Sequence, residues 1–432
     1  PAASTAASDA AIARRTHFPA VITMTSTAFA GLEALASGAI VSPFSRLRVL
    51  LDGIEPGHAR PIDLTLGEPR ETSPAFVADK IRESAALYAK YPPIRGSDEL
   101  RGAIAAWLAR RYGLDGANTV DPAREILPLN GSREGLFYAG LPAVGRKRVD
   151  GRPAILIVNP YYQAYLGAAL TTGAEPVYLD ATAATGHLPD LDLLAADVPL
   201  LRRTVAFYLC SPANPQGAVA DARYIRRAID LARAYDFMLF LDECYSEIYA
   251  SDPPPGGLEV AAATTERFKN IVVFNSLSKR SNLPGLRSGF AAGDAAFMDT
   301  LFEVRNLIGP QVPGPTQHVS ASVWSEEQHV AVNRQAYRTK FEICDQVLGD
   351  RLGYRRPAGG FFLWLDVSQL GDGGDAAVTL WKRCGVKVIP GAFLAQPGRD
   401  GLNPGTPYVR VALVQDAATI REAIERIVSI VA

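Results

Sequence analysis

Four short polar segments in this chain combine residue types that do chemistry, and each follows an apolar run. Ser276-Leu277-Ser278-Lys279-Arg280 follows the run 271–275, with Arg287 eight residues beyond the lysine. Asp242-Glu243-Cys244-Tyr245 follows 237–241, and Ser211-Pro212-Ala213-Asn214-Pro215-Gln216-Gly217 follows 205–210. Leu129-Asn130-Gly131-Ser132-Arg133-Glu134-Gly135 closes the run 126–129 and opens a helical pattern. Taken singly, these are a turn, a helix cap and a stray lysine. Together they make a chemical set. A lysine packed among apolar neighbours loses basicity by desolvation and can form a Schiff base with an aldehyde. An aspartate from the neighbouring strand can hold a pyridinium nitrogen protonated. The helix start at 130–133 offers backbone N–H groups to a phosphate. These parts fit pyridoxal phosphate. Nucleotide cofactors fit worse, because no GxxxxGK[ST] occurs and no GxGxxG opens a helix after the first strand.

The elements that must position these residues alternate through the middle of the chain. Strand-like runs fall at 154–158, 176–179, 205–210, 237–242 and 271–275. Helical patterns fall near 78–90, 98–113, 163–172, 191–202 and 220–236. This order predicts an α/β fold with a buried, mostly parallel sheet. In such sheets a ligand lies outside the C-terminal strand ends, where the polar segments stand. After about 315 the style changes. A helical stretch over 315–350 leads to a strand at 361–366, a helix near 376–384, a strand at 407–414 and a last helix from 417. That predicts a smaller α+β lobe, divided from the first by the Pro-rich segment 309–315. The expected domains are an N-terminal extension over 1–35, a small domain from 36–75 and 316–432, and a large cofactor-binding domain over 76–315.

The chain has 432 residues, 48% hydrophobic and 21% charged, with 44 basic against 45 acidic side chains. This is a globular composition, and it disfavours long disordered, collagen-like or coiled-coil structure. A balanced charge argues against a protein built to grip nucleic acid or an anionic membrane. The four cysteines show no CxxC and no zinc-ligand spacing, so no metal site is expected and a reduced, cytoplasmic setting fits best. The apolar runs are strand-length, well short of the roughly 20 residues of a membrane-spanning helix. The Ala-, Ser- and Thr-rich N-terminal stretch lacks the order of a signal peptide and is expected to be poorly ordered.

From about residue 38 to 432 the chain resembles the class I/II aminotransferases of fold type I, the aspartate-aminotransferase-like pyridoxal-phosphate enzymes. Ser276-Leu277-Ser278-Lys279 with Leu286-Arg287-Ser288-Gly289 resembles the family's cofactor-lysine signature. The Asn-Pro-x-Gly at Asn214, the Asp-x-x-Tyr at Asp242 and the late Tyr408-Val409-Arg410 occur in family order. The resemblance implies a large domain with a mostly parallel, seven-stranded type of sheet between helices, and a smaller α+β domain. It implies that Lys279 holds the cofactor and moves the proton between Cα and C4′. Asp242 would pair with the pyridine nitrogen, Tyr245 and Asn214 with the ring O3′, and Tyr162 with the ring face. Gly131, Ser132, Arg133, Ser276 and Arg287 would cradle the phosphate. Tyr91, in Tyr91-Pro92-Pro93-Ile94-Arg95-Gly96, would reach the phosphate of a neighbouring subunit, which implies a homodimer with shared sites. Arg410 would clamp the substrate α-carboxylate, and Gly67 would let the backbone approach the substrate.

Details outside those motifs are similar to the bacterial N-succinyl-LL-diaminopimelate aminotransferases. They are Leu66-Gly67-Glu68-Pro69-Arg70, the segments around Tyr91 and Asn130, and Leu209-Cys210-Ser211-Pro212-Ala213-Asn214. That likeness implies ping-pong transfer with glutamate as donor, on the route to lysine. Such a long substrate needs a cation beyond Arg410, and Arg70, Arg95 and Arg133 stand in suitable loops. The alternatives are aspartate, alanine or aromatic transamination, or C–S elimination by the same kind of site. His187 and His318 are expected in surface or loop positions, and Trp364 and Trp381 in core.

Overall fold

The computed structural model describes residues 31, 33, 36, 37 and 40–431. Apart from residues 31 and 33, the extension expected over 1–35 lies outside them. Twelve strands are present among the described residues. In chain order they are β1 (Ile62–Asp63), β2 (Ile126–Leu129), β3 (Ala154–Asn159), β4 (Glu175–Asp180), β5 (Thr204–Cys210) and β6 (Met238–Asp242). β7 (Ile271–Ser276), β8 (Gly289–Gly293), β9 (Phe362–Asp366), β10 (Val386–Lys387), β11 (Ile389–Pro390) and β12 (Tyr408–Ala412) follow.

Seven of them form one sheet in the order β2-β8-β7-β6-β5-β3-β4. All run parallel except β8, which is antiparallel to both β2 and β7. Strands β3, β5, β6 and β7 are buried along their whole length, as expected where helices cover both faces. Their residues alternate between two cores. Leu156, Leu239, Leu241 and Val273 pack on one side with Leu100, Ile104 and Trp107 of the helix Asp98–Tyr112. Ile155, Ile157, Phe240 and Val272 pack on the other with Leu136, Tyr165 and Leu301. The period of two is what makes a single apolar strand serve both layers.

A second lobe holds the antiparallel sheet β11-β12-β9 and the parallel pair β1-β10. Its core joins Leu363, Val411 and Ile389 to the helices Gln328–Leu348, Gly373–Cys384 and Ala417–Val431. Tyr245 and Ile248, from the loop after β6, are buried in this same core.

The structure differs from the sequence-based expectation in several places. The helical stretch 315–350 is two helices, Gly314–Ser325 and Gln328–Leu348. Glu326 caps the second by accepting from the backbone N–H groups of Gln328 and His329. Buried Arg280 holds the break open through the Glu326 carbonyl and the Glu327 carboxylate. The first of these helices lies beyond the divide expected at 315/316, yet it packs on the helix Asp98–Tyr112 of the large sheet. The pattern 191–202 is likewise two short helices, parted where Asp197 caps the second and Pro199 enters it. Finally, β8 was not expected at all. Its glycines permit close strand approach: a Cβ on Gly289 would stand 2.6 Å from the Asn275 carbonyl oxygen.

Candidate active site

The C-terminal ends of β3, β5, β6 and β7 open into one cavity of about 460 Å³. Eleven of the residues expected from the sequence line it: Gly67, Ser132, Arg133, Tyr162, Asn214, Asp242, Tyr245, Ser276, Lys279, Arg287 and Arg410.

Lys279 projects from the four-residue turn Leu277–Arg280, which starts directly at the end of β7. Ser276, the last residue of β7, accepts from the Ser278 N–H at 3.1 Å and so caps the turn. The lysine amine donates to the Gly67 carbonyl. Burial lowers its pKa to about 8. Gly67 itself has no room for a side chain, since a Cβ there would stand 2.6 Å from the Phe362 ring.

Asp242 ends β6 and is 6% exposed. Its Oδ2 accepts from the Tyr165 hydroxyl at 2.7 Å, and its Oδ1 from the Cys244 N–H at 3.2 Å. Burial pushes the carboxyl upward, with those hydrogen bonds and the Lys279 charge opposing. No cation lies within ion-pair distance of Asp242 among the described residues. Tyr245, one turn on, is buried edge-on against Phe361 and Phe362. Burial holds its phenol well above the ordinary range.

Arg410 stands in β12, across from Trp364 of β9. Its guanidinium is 5% exposed, donates to Asn214 Oδ1 at 3.1 Å and to the Thr65 carbonyl at 2.6 Å, and lies 4.4 Å from the Phe362 ring centre. Burial lowers its pKa to about 10. Its Nε is buried without a partner, and no carboxylate pairs with it among the described residues. A buried guanidinium with an unused N–H is built to receive a carboxylate.

Around β2 the cavity wall is made of donors. Ser132, Ser276, Ser278 and Arg287 face it together. Gly131 sits at φ +80°, and a Cβ there would stand 2.5 Å from Arg287 Nη2. Arg287 donates to the carbonyls of Asn130 and Pro284. Exposed Arg133 lies 5.5 Å over the Tyr162 ring. Hydroxyls and guanidinium with no carboxylate suit a phosphate, the buried lysine an aldehyde, and the unpaired Asp242 a pyridinium. The residues present therefore fit pyridoxal phosphate.

Two expected residues do not line the cavity. Gly131 is buried beside the Arg287 guanidinium, and Tyr91 is 95% exposed. Of the other arginines, Arg95 is bound to Asp299 and the Ala123 carbonyl, and Arg70 to Gln415. The sequence reading assigned no role to Tyr165 or Ser278. Tyr165 is the hydroxyl-bearing position one turn after Tyr162 in an otherwise apolar helix, and that spacing was the available signal. No group of three or more metal-ligating side chains occurs among the described residues, and no helix among them is long and apolar enough to cross a membrane.

Comparison with known proteins gives a consistent family. The model for "Aminotransferase class I and II" matches residues 59–427. The LL-diaminopimelate aminotransferase of Desulforudis audaxviator is 30% identical over 390 residues, covering 89% of this chain and 94% of that protein. The 4-dedimethylamino-4-oxo-anhydrotetracycline transaminase OxyQ of Streptomyces rimosus is 31% identical, covering 85% and 92%. Among solved structures, an aminotransferase from Neisseria meningitidis Z2491 is 40% identical with a TM-score of 0.84, covering 90% of this chain and 97% of that one. The match thus spans both the large sheet and the second lobe, and the chain belongs to the class I and II aminotransferases, as a pyridoxal-phosphate-dependent enzyme of the aspartate-aminotransferase-like fold.

Proposed function

We propose that the enzyme moves an amino group between glutamate or 2-oxoglutarate and an N-succinyl-LL-diaminopimelate-type substrate. The charge of the cavity carries this reading. Among its described lining residues Asp242 is the one carboxylate, against Arg133, Lys279, Arg287 and Arg410. A phosphate and the substrate α-carboxylate account for Arg287 and Arg410. Exposed Arg133 remains for a distal anionic group, and Arg70 and Arg95 are engaged elsewhere. A succinylated distal end is purely anionic, whereas free diaminopimelate carries a distal ammonium that no lining carboxylate meets. A second reading, LL-diaminopimelate itself, is favoured by the activity for which the Desulforudis relative is named.

In this reading Lys279 holds the cofactor aldehyde and Asp242 the pyridine nitrogen. Gly131, Ser132, Ser276 and Arg287 take the phosphate, joined by Ser278, while Arg133, which the family resemblance would also put on the phosphate, is assigned to the distal group instead. Tyr162 covers the ring face, and Tyr91 serves the partner's site in a homodimer. Asn214 has its carbonyl oxygen on Arg410, which leaves its amide N–H to the ring O3′, beside the Tyr245 hydroxyl. Bound pyridoxal phosphate supplies an electron sink in conjugation with the substrate nitrogen. Lys279 Nζ, its basicity lowered by burial, would take the Cα proton and return it one position along. Arg410 fixes the carboxylate and thereby aims the Cα–H bond at that amine.

The test is the visible absorption band of the cofactor-loaded protein. It should bleach with glutamate and with N-succinyl-LL-diaminopimelate. Bleaching by free LL-diaminopimelate but not by its succinyl derivative would replace the first reading with the second. Bleaching by aspartate, alanine or aromatic amino acids alone would sink both. Arg410→Lys should raise KM for every amino donor by roughly 10- to 100-fold, the worth of a lost charge-assisted hydrogen bond, with a smaller change in kcat. An unchanged KM would show that the carboxylate binds elsewhere.

A further inference from the structure

The long helix Gln328–Leu348 reaches three segments that each carry a residue of the cavity. Lys340, 1% exposed, donates to Glu71 at 2.6 Å, four residues beyond Gly67. Arg334 donates to the Glu247 carbonyl at 3.0 Å and its carboxylate at 2.6 Å, five residues beyond Asp242. His329 Nε2 stands 2.8 Å from Ser281 Oγ, two residues beyond Lys279. The approach nearest a reacting group is made by Asn333, which is 4% exposed. Its Nδ2 donates to the Lys279 carbonyl at 3.2 Å and to the Arg280 carbonyl at 3.3 Å. Its Oδ1 accepts from Asn282 at 3.1 Å.

These contacts answer a need of the turn itself. The last four carbonyls of any helix lack intrahelical partners, and Leu277–Arg280 has only four residues. A helix that short does not hold its own shape, and buried carbonyls must be paired. One side-chain amide supplies a donor to each of the last two. We propose that Asn333 is a positioning residue for Lys279: it clamps the back of the turn and so keeps the amine buried against Gly67 and turned into the cavity. The proposal rests on the reading of Lys279 as the lysine that captures the cofactor aldehyde. Without the clamp the turn frays and water reaches the amine. The charged and titratable neighbours of that amine, Cys244, Arg410, Glu68 and Arg287, stay where they are on other segments.

The experiment follows uptake of pyridoxal phosphate by the cofactor-free full-length chain, as growth of visible absorbance against pH. Only the neutral amine captures an aldehyde, so the rate reports its pKa. Wild type should show a midpoint near 8. Asn333→Ala, and the near-isosteric Asn333→Asp that cannot donate when ionised, should move it upward by about one unit. The neutral fraction at pH 8 then falls from about one half to about one eleventh, and capture slows roughly fivefold. Val332→Thr, on the exposed face of the same helix, should behave as wild type. Capture with an unchanged midpoint in both Asn333 variants overturns the proposal, even if their melting temperatures fall. No capture by wild type would instead overturn the Lys279 reading, and the proposal with it.

Discussion

Lys279→Ala is expected to remove the visible band with added cofactor and to cut transamination by about 10²–10⁴-fold through lost proton transfer alone. The fold should survive. The substitution leaves the Gly67 carbonyl without its donor, which costs about 1–3 kcal/mol. Against that stands the cost of burying the lysine. Its folded pKa near 8 lies below the ordinary 10.4, so the folded state binds fewer protons than the unfolded one between these values. The wild-type chain therefore carries a penalty of roughly 3 kcal/mol at pH 7, full below pH 8 and gone above about pH 10.4. The two terms nearly cancel at neutral pH, and the cofactor-free variant should melt within a few degrees of wild type. As pH rises from 8 to 10, wild type should gain stability over the variant. Cofactor capture by the ligand-free chain also has a sign: it should rise with pH through about 8 as the free amine loses its proton. A variant that kept the band and full turnover would show that another group captures the cofactor.

The large sheet was legible in the sequence because each of its covered strands is a short run apolar on both faces, set between amphipathic helices. Observed bounds for β3, β5 and β7 extend the expected runs by one residue at one end. β8 was not legible, since Gly289-Phe290-Ala291-Ala292-Gly293 has neither a β-branched residue nor an alternating pattern, and it is held by pairing on both sides. The two-residue strands β1, β10 and β11 are too short to leave any period. The break at Glu326 carries no Gly or Pro; buried Arg280, far away in the chain, settles it. In the cavity, Lys279, Asp242 and Asn214 were legible because strand ends place them. Tyr165 offered only its spacing from Tyr162, with nothing to say that its hydroxyl meets Asp242, and Asn333 offered no signal, because its contact with the Lys279 turn crosses the fold. Arg70, Arg95 and Arg133 look alike in sequence for a similar reason: that Arg70 bonds Gln415 and Arg95 bonds Asp299 is a matter of contacts across the fold.

Asp242→Asn should preserve the fold and most cofactor uptake while slowing the chemistry by about 30- to 5,000-fold. The shape is kept, and the amide oxygen can still accept from one of the two donors now serving the carboxylate, the Tyr165 hydroxyl and the Cys244 N–H. The structural cost is then on the order of 1 kcal/mol. What is lost is a full negative charge at the end of β6, in a place where burial already disfavours it. A desolvated charge with no cation among the described residues is retained only where a positive group arrives from outside the chain. Removing one member of such a hydrogen-bonded charge pair costs about 2–5 kcal/mol, and that cost converts to the stated range of rates. The loss should appear in the amino-donor half-reaction itself, measured as the rate of bleaching in a single turnover, with Lys279 intact to take the Cα proton. Tyr165→Phe should have a milder effect, because it removes a neutral donor from the carboxylate and leaves the charge. Bleaching at the wild-type rate in Asp242→Asn would break the link between this carboxylate and the ring nitrogen. A loss confined to cofactor affinity would leave Asp242 as an anchor that takes no part in moving electrons.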